Sequence, residues 1–113
     1  MTEEERNTLR GVIAARISQL EQESAAAENL AEDITLDQQS VGRLSRMDAI
    51  QRRAMADATA QRRQAELQRL RKTLLDIDDE DFGYCTDCGE PIAMARLKIN
   101  PTLTRCAECT RGA

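Results

Sequence analysis

Asp81-Phe82-Gly83-Tyr84-Cys85-Thr86-Asp87-Cys88-Gly89, followed after residues 90–105 by Cys106-Ala107-Glu108-Cys109, holds all 4 cysteines of this 113-residue chain. The pattern is C-x2-C-x17-C-x2-C. Two residues between ligands let one tight turn aim both sulfurs at a single ion, and two such turns complete a tetrahedron with sulfur at ~2.3 Å from zinc. Gly89, directly after the second cysteine, offers the positive φ with which the chain reverses so that its amides face the thiolates. The expected ligands are therefore Cys85, Cys88, Cys106 and Cys109, and the expected cofactor is one structural Zn2+. With all four positions filled by protein and no histidine in the chain, an open catalytic site is not expected. Spacing alone leaves a rubredoxin-like iron site or a reversible disulfide pair as alternatives to zinc.

Upstream of this segment the sequence reads as helix. Hydrophobic residues make up 41% of the chain, yet alanine supplies much of that, and Phe82 and Tyr84 are the only aromatics, so a thick globular core is excluded. Charged residues at 32% with few glycines and prolines match long helices and coiled coils. Leu9, Ile13, Ile17, Leu20, Ser24, Ala27 and Ala31 recur at steps of four and three and make one narrow stripe. A second stripe is read through Leu44, Met47, Ile50, Ala54, Ala58, Ala65, Leu70, Leu74 and Ile77. Between them, β-branched residues, Asp37, Ser40 and Gly42 weaken helix propagation and mark a turn.

The fold expected is mostly α: a long antiparallel α-helical coiled-coil hairpin with a small C-terminal four-cysteine zinc-finger module. Residues 1–78 form the hairpin, with helices at about 3–33 and about 44–77 and a tip at about 34–43, and residues 79–113 form the finger. At ~1.5 Å per residue the longer arm reaches roughly 50 Å. A segment of this size without a core needs its metal to fold, so chelation is expected to melt residues 82–110 and leave much of the hairpin. Phe82, Tyr84, Ile92, Leu97, Ile99 and Leu103 supply its apolar packing.

The formal net charge of −4 hides a segregation. Residues 1–42 carry −6, residues 43–77 carry +5 and residues 78–113 carry −3. The acidic arm attracts the basic one in an antiparallel pair, and a parallel homodimer would set like arms side by side, so charge favours a monomer. An acidic protein is a poor wrapper of nucleic acid, and sequence-specific DNA binding is not expected. The opening Met1-Thr2-Glu3-Glu4-Glu5 has no basic n-region or apolar h-region, and no apolar run approaches a membrane span, which predicts a cytoplasmic setting. In that compartment closely paired cysteines are more often metal ligands than disulfides.

Asp79-Glu80-Asp81-Phe82-Gly83-Tyr84-Cys85, the turn Cys88-Gly89, Ile92, Arg96-Leu97, Pro101-Thr102 and Cys106-x-x-Cys109 resemble the C-terminal finger of the DksA/TraR family. The resemblance is close over 79–109 and looser over the hairpin, through Leu70, Thr73 and Leu74. It implies a non-enzymatic bacterial transcription regulator that inserts its hairpin through the secondary channel of RNA polymerase, modulates initiation, and responds to the alarmone ppGpp at a joint site with the polymerase.

Three departures qualify this. Counted back from the finger without gaps, the family's Asp-x-x-Asp-x-Ala tip falls on Gly42, Ser45 and Met47, none of which match. Asp33, Asp37, Arg43, Arg46 and Asp48 are the substitutes available at the tip. Two of the family's basic ppGpp positions fall on Arg62 and Arg69, while two others fall on the neutral Asn100 and Thr110, with Arg105 and Arg111 nearby. The terminal helices of longer members are not expected here, which reads as a short form.

A rival reading is a zinc-ribbon adaptor whose helical hairpin binds another protein partner. Another is transcript cleavage through a magnesium held by acidic tip residues such as Asp33 and Asp37. A third makes the finger thiols a redox switch.

Overall fold

A computed structural model describes residues 1–38 and 43–112, with side chains described for residues 1–29 and 46–112. It is mostly helical, with α1 at Glu3–Gln38, α2 at Arg43–Asp76, α3 at Met94–Ile99 and α4 at Ala107–Gly112. Among the described residues there is no β-strand beyond an isolated antiparallel bridge between Tyr84 and Pro91. α1 packs against α2. The helix α1 continues to Gln38, past the end near residue 33 that the sequence suggested, so Ile34 and Thr35 do not break it. β-branching lowers helix propensity by only a few tenths of a kcal/mol per residue, roughly, which two such positions do not turn into a stop. The expected tip residues Asp33, Asp37 and Arg43 have side chains outside the described residues, and so does much of the tip at 34–43.

The chain divides into two compact units, one of residues 1–17 and 68–113 and the other of residues 18–67. In the first, Leu9 and Ile13 of α1, Leu70, Thr73 and Ile77 near the end of α2, and Ile92 and Leu97 of the finger are buried. Its α1 begins with a capping box. The Thr2 hydroxyl accepts from the Glu5 amide at 3.1 Å, and the Glu5 carboxylate accepts from the Thr2 amide at 2.9 Å. Arg10 bonds both Glu3, at 3.2 Å, and Asp78, just past α2. In the second unit Leu20, Ala49 and Leu67 are buried, and Arg63 lies 3.8 Å from Glu23. The Arg10–Asp78 pair joins the start of α1 to the residues just past the end of α2, the register of antiparallel packing.

Of the stripe read on α1, Leu9, Ile13 and Leu20 are buried and Ile17, Ser24 and Ala27 half-buried, and the side chain of Ala31 lies outside the described residues. On α2 the stripe holds at Leu70 and Ile77, which are buried with Leu67 and Thr73, but its earlier part is out of phase: Ala49 is buried, Met47 and Ile50 are 56% and 61% exposed, Ala54 and Ala58 face solvent, and the side chain of Leu44 lies outside the described residues. Steps of three and four link Ala60, Arg63, Leu67, Leu70, Thr73 and Ile77, so the seam was present in the sequence beside the stripe that was read. Alanines all round the helix made the two phases hard to tell apart.

Candidate metal centre

Successive turns carry the chain out of α2 and into the finger. The amides of Asp79, Phe82 and Tyr84 donate to the carbonyls of Asp76, Asp79 and Asp81 at 2.9, 3.1 and 3.3 Å. Gly83 then takes φ 91°, a value that L side chains rarely adopt, and a Cβ there would lie 2.7 Å from Cε of Met1. The first ligand pair sits in the turn that follows. The Cys85 amide donates to the Glu90 carbonyl at 2.8 Å, the Ile92 amide to Gly83 at 2.8 Å and the Gly89 amide to Cys85 at 3.0 Å, with Gly89 at φ 76° as its position required.

The second pair starts α4: the Cys106 carbonyl accepts from the Thr110 amide at 3.0 Å and from its hydroxyl at 2.9 Å. A main-chain bond from Thr86 to the Thr104 carbonyl, 2.8 Å, draws the two turns together. Leu97 of α3 and Ile92 are buried beneath them, and Phe82 and Leu103 are half-buried. Tyr84 and Ile99, read as packing residues, are instead exposed, Ile99 by 87%.

The outcome is a cluster of four sulfurs, those of Cys85, Cys88, Cys106 and Cys109, all within 4.8 Å of one another. The Cys88 and Cys106 sulfurs are 3.6 Å apart, and none of the four is in a disulfide. Sulfurs at ~2.3 Å from a tetrahedral zinc lie roughly 3.8 Å from each other, so this donor set fits the ion. Electrostatics point the same way. Amides of Cys106 and Cys88 hold the Cys85 thiol down to about 6, while the sulfurs of Cys106, Cys85 and Cys88 push Cys109 far above the ordinary thiol range. The Cys85 thiolate forms readily while Cys88 and Cys109 resist ionisation beside it; a divalent cation removes that conflict. Ligation by four cysteines leaves no open position, so the zinc is structural.

Arg105 was missed as a structural residue by reading the sequence. It donates to Asp87 at 2.7 Å and to the Cys109 carbonyl at 2.9 Å, and is thereby committed within the finger. No spacing rule links residues 87 and 105, so only the folded chain shows it. Asn100 is likewise engaged, accepting from the Thr102 amide and hydroxyl at 3.2 and 2.7 Å. Arg69 is exposed on α2 and lines a cleft of about 490 Å³ together with Lys72, Thr73, Phe82, Tyr84 and Thr102. Arg62 belongs to the other unit, where it is exposed and donates to the Thr59 hydroxyl at 3.2 Å. Arg46 and Asp48 are exposed on α2. The described residues contain no helix long and apolar enough to cross a membrane.

The family profile described as "Prokaryotic dksA/traR C4-type zinc finger" matches residues 80–113. The RNA polymerase-binding transcription factor DksA of Escherichia coli (strain K12) is 44% identical over 43 residues, which are 38% of this chain and 28% of that protein. Its counterpart in Haemophilus influenzae is 42% identical over 43 residues, 38% of this chain and 30% of the relative. These matches therefore span less than a third of the relatives' length. The solved structure of transcription factor DksA2 from Pseudomonas aeruginosa superposes with a TM-score of 0.85 over 99% of this chain and 84% of that one, at 20% identity, which is a likeness of fold. Residues 80–113 thus carry a finger of the DksA/TraR C4 type, matched in sequence, and the helical fold around it is like that of DksA2.

Proposed function

We propose that this protein is a cytoplasmic bacterial transcription regulator that binds RNA polymerase through its secondary channel and modulates initiation together with ppGpp. The observation that carries the reading is the finger itself: the segment with the cysteine cluster is the one in which relatives named as RNA polymerase-binding transcription factors are over 40% identical. The likeness of fold to DksA2 supports a comparable hairpin. In this reading residues 1–78 form the inserted hairpin, and residues 79–113 the finger beside its base.

The tip residues Asp33, Asp37, Arg43, Arg46 and Asp48 act on the polymerase by favouring one of its conformations over another, which is the only way a bound factor shifts an equilibrium. Arg69, exposed on its cleft, and Arg62 supply cations for the alarmone phosphates, for which the guanidinium fork is suited. The protein works as a monomer, reads no DNA sequence and catalyses no reaction.

The test is competition. Zinc-loaded protein is titrated against purified bacterial RNA polymerase in the presence of a DksA protein. Mutual displacement supports the reading; no binding at micromolar concentration sinks it and leaves the zinc-ribbon adaptor. Within a positive result, charge reversal at both Arg62 and Arg69 reduces the ppGpp response and spares binding.

A further inference from the structure

Arg105 precedes the third ligand, Cys106, and reaches across the finger in two directions. Its Nε donates to Oδ2 of Asp87, 2.7 Å away, and its Nη2 donates to the carbonyl of Cys109, 2.9 Å away. Asp87 sits between the ligands Cys85 and Cys88, and Cys109 is the last ligand. One side chain thus ties the first ligand pair to the second, next to the main-chain bond between Thr86 and Thr104. An exposed ion pair alone would be worth little, and the side chains of Arg105 and Asp87 are 39% and 49% exposed. The arrangement differs from a lone pair because the planar guanidinium fixes two bonds at once, one to each half of the metal site.

We propose that Arg105 is a positioning residue for zinc: it holds the two cysteine pairs at metal-binding spacing and slows release of the ion. Zinc leaves a closed four-sulfur site only when sulfurs detach and the two turns separate, and the Asp87–Arg105–Cys109 link opposes that separation. The guanidinium also places a positive charge beside a centre that carries about −2 when four thiolates bind a divalent ion. Partners outside the ligand shell commonly change metal affinity by about 10- to 100-fold. Lysine lacks the fork, so Arg105→Lys keeps the charge and loses one of the two bonds.

The experiment follows zinc transfer from the full-length loaded protein to an excess of a chromophoric chelator at fixed pH, with helicity recorded alongside. Arg105→Ala is expected to release zinc on the order of tenfold faster with helicity unchanged, and Arg105→Lys to fall between it and the parent. The Asp87→Ala/Arg105→Ala double variant is expected to release no faster than Arg105→Ala, because the two side chains act as one link. A role in general stability would shift the thermal midpoint and leave the transfer rate alone. Release by Arg105→Ala within about twofold of the parent, or single effects that multiply in the double variant, overturns the proposal, the threshold being small against the expected range. Where Arg105→Ala fails to load zinc, Asp87→Asn is read in the same way: faster release supports the link and an unchanged rate removes it.

Discussion

In the finger, four sulfurs and a few backbone hydrogen bonds do what side-chain burial does in residues 18–67. The finger buries Cys85, Ile92 and Leu97 and little else that is large, and its chain path is set by turns at Gly83 and Gly89. The described part of residues 18–67 holds no metal-ligand cluster; it buries Leu20, Ala49 and Leu67, with the Glu23–Arg63 pair flanking the seam. Two routes to order thus coexist in one short chain. Where apolar volume is scarce a metal site supplies the missing free energy, and where helices are long a narrow seam is enough.

The largest effect that would break this contrast is metal removal. Chelation is expected to abolish amide protection through residues 82–110, since structural zinc contributes on the order of 10 kcal/mol to folding at neutral pH, while helical amides within 18–67 stay protected. Hydrogen exchange reads both at once; simultaneous loss in the two regions would show that the hairpin also depends on the ion. The seam is probed next. Leu67→Ala should lower stability to denaturant by about 2–5 kcal/mol, whereas Ile50→Ala, on the exposed face, should stay within about 0.5 kcal/mol of the parent. Equal effects would return Ile50 to the buried stripe in which the sequence first suggested it.

A glycine pair sharpens the comparison at smaller scale. Gly83→Ala forces a side chain into φ 91° and against Met1, and should cost about 1–3 kcal/mol. Gly11→Ala, in α1 with open space around the added methyl, should stabilise by about 0.5–1 kcal/mol. Thermal melts distinguish the two signs.

The smallest effect concerns acid. The Thr2 amide and hydroxyl hold the Glu5 carboxyl below the usual carboxylate range. A lowered folded-state value means that this capping contribution is present above the unfolded-state titration and is lost as pH falls through the folded-state one. Thr2→Ala removes the hydroxyl and keeps the amide, so it should move the Glu5 titration only part of the way upward in a carboxyl NMR experiment, and an unmoved titration would dismiss the hydroxyl as a cause.

Legibility followed side-chain size. On α1, Leu9, Ile13, Ile17 and Leu20 are bulky residues at steps of four and three, so their spacing identified the buried face directly. On α2, Met47, Ile50, Ala54 and Ala58 offered as regular a stripe as Ala60, Arg63, Leu67 and Leu70, and a methyl group contributes too little burial for pattern alone to choose. Arg63, half-buried beside Glu23, further disguised the true seam with a charge at a seam position. In the finger the ligands were legible because sulfur spacing is a local property of a tight turn. Arg105 stood in the sequence only as a cation near the neutral Asn100 and Thr110, and the fold uses it as a tie.

The sequence by itself determined the metal site, the helical class of α1 and α2 and the requirement for glycine at position 89, because each depends on neighbours a few residues apart. The tertiary structure alone decided the phase of α2, the positive φ at Gly83 against Met1 and the union of Asp87 with Arg105. These depend on which surfaces meet across long stretches of chain, and local periodicity carries no information about a contact whose partners are distant in sequence.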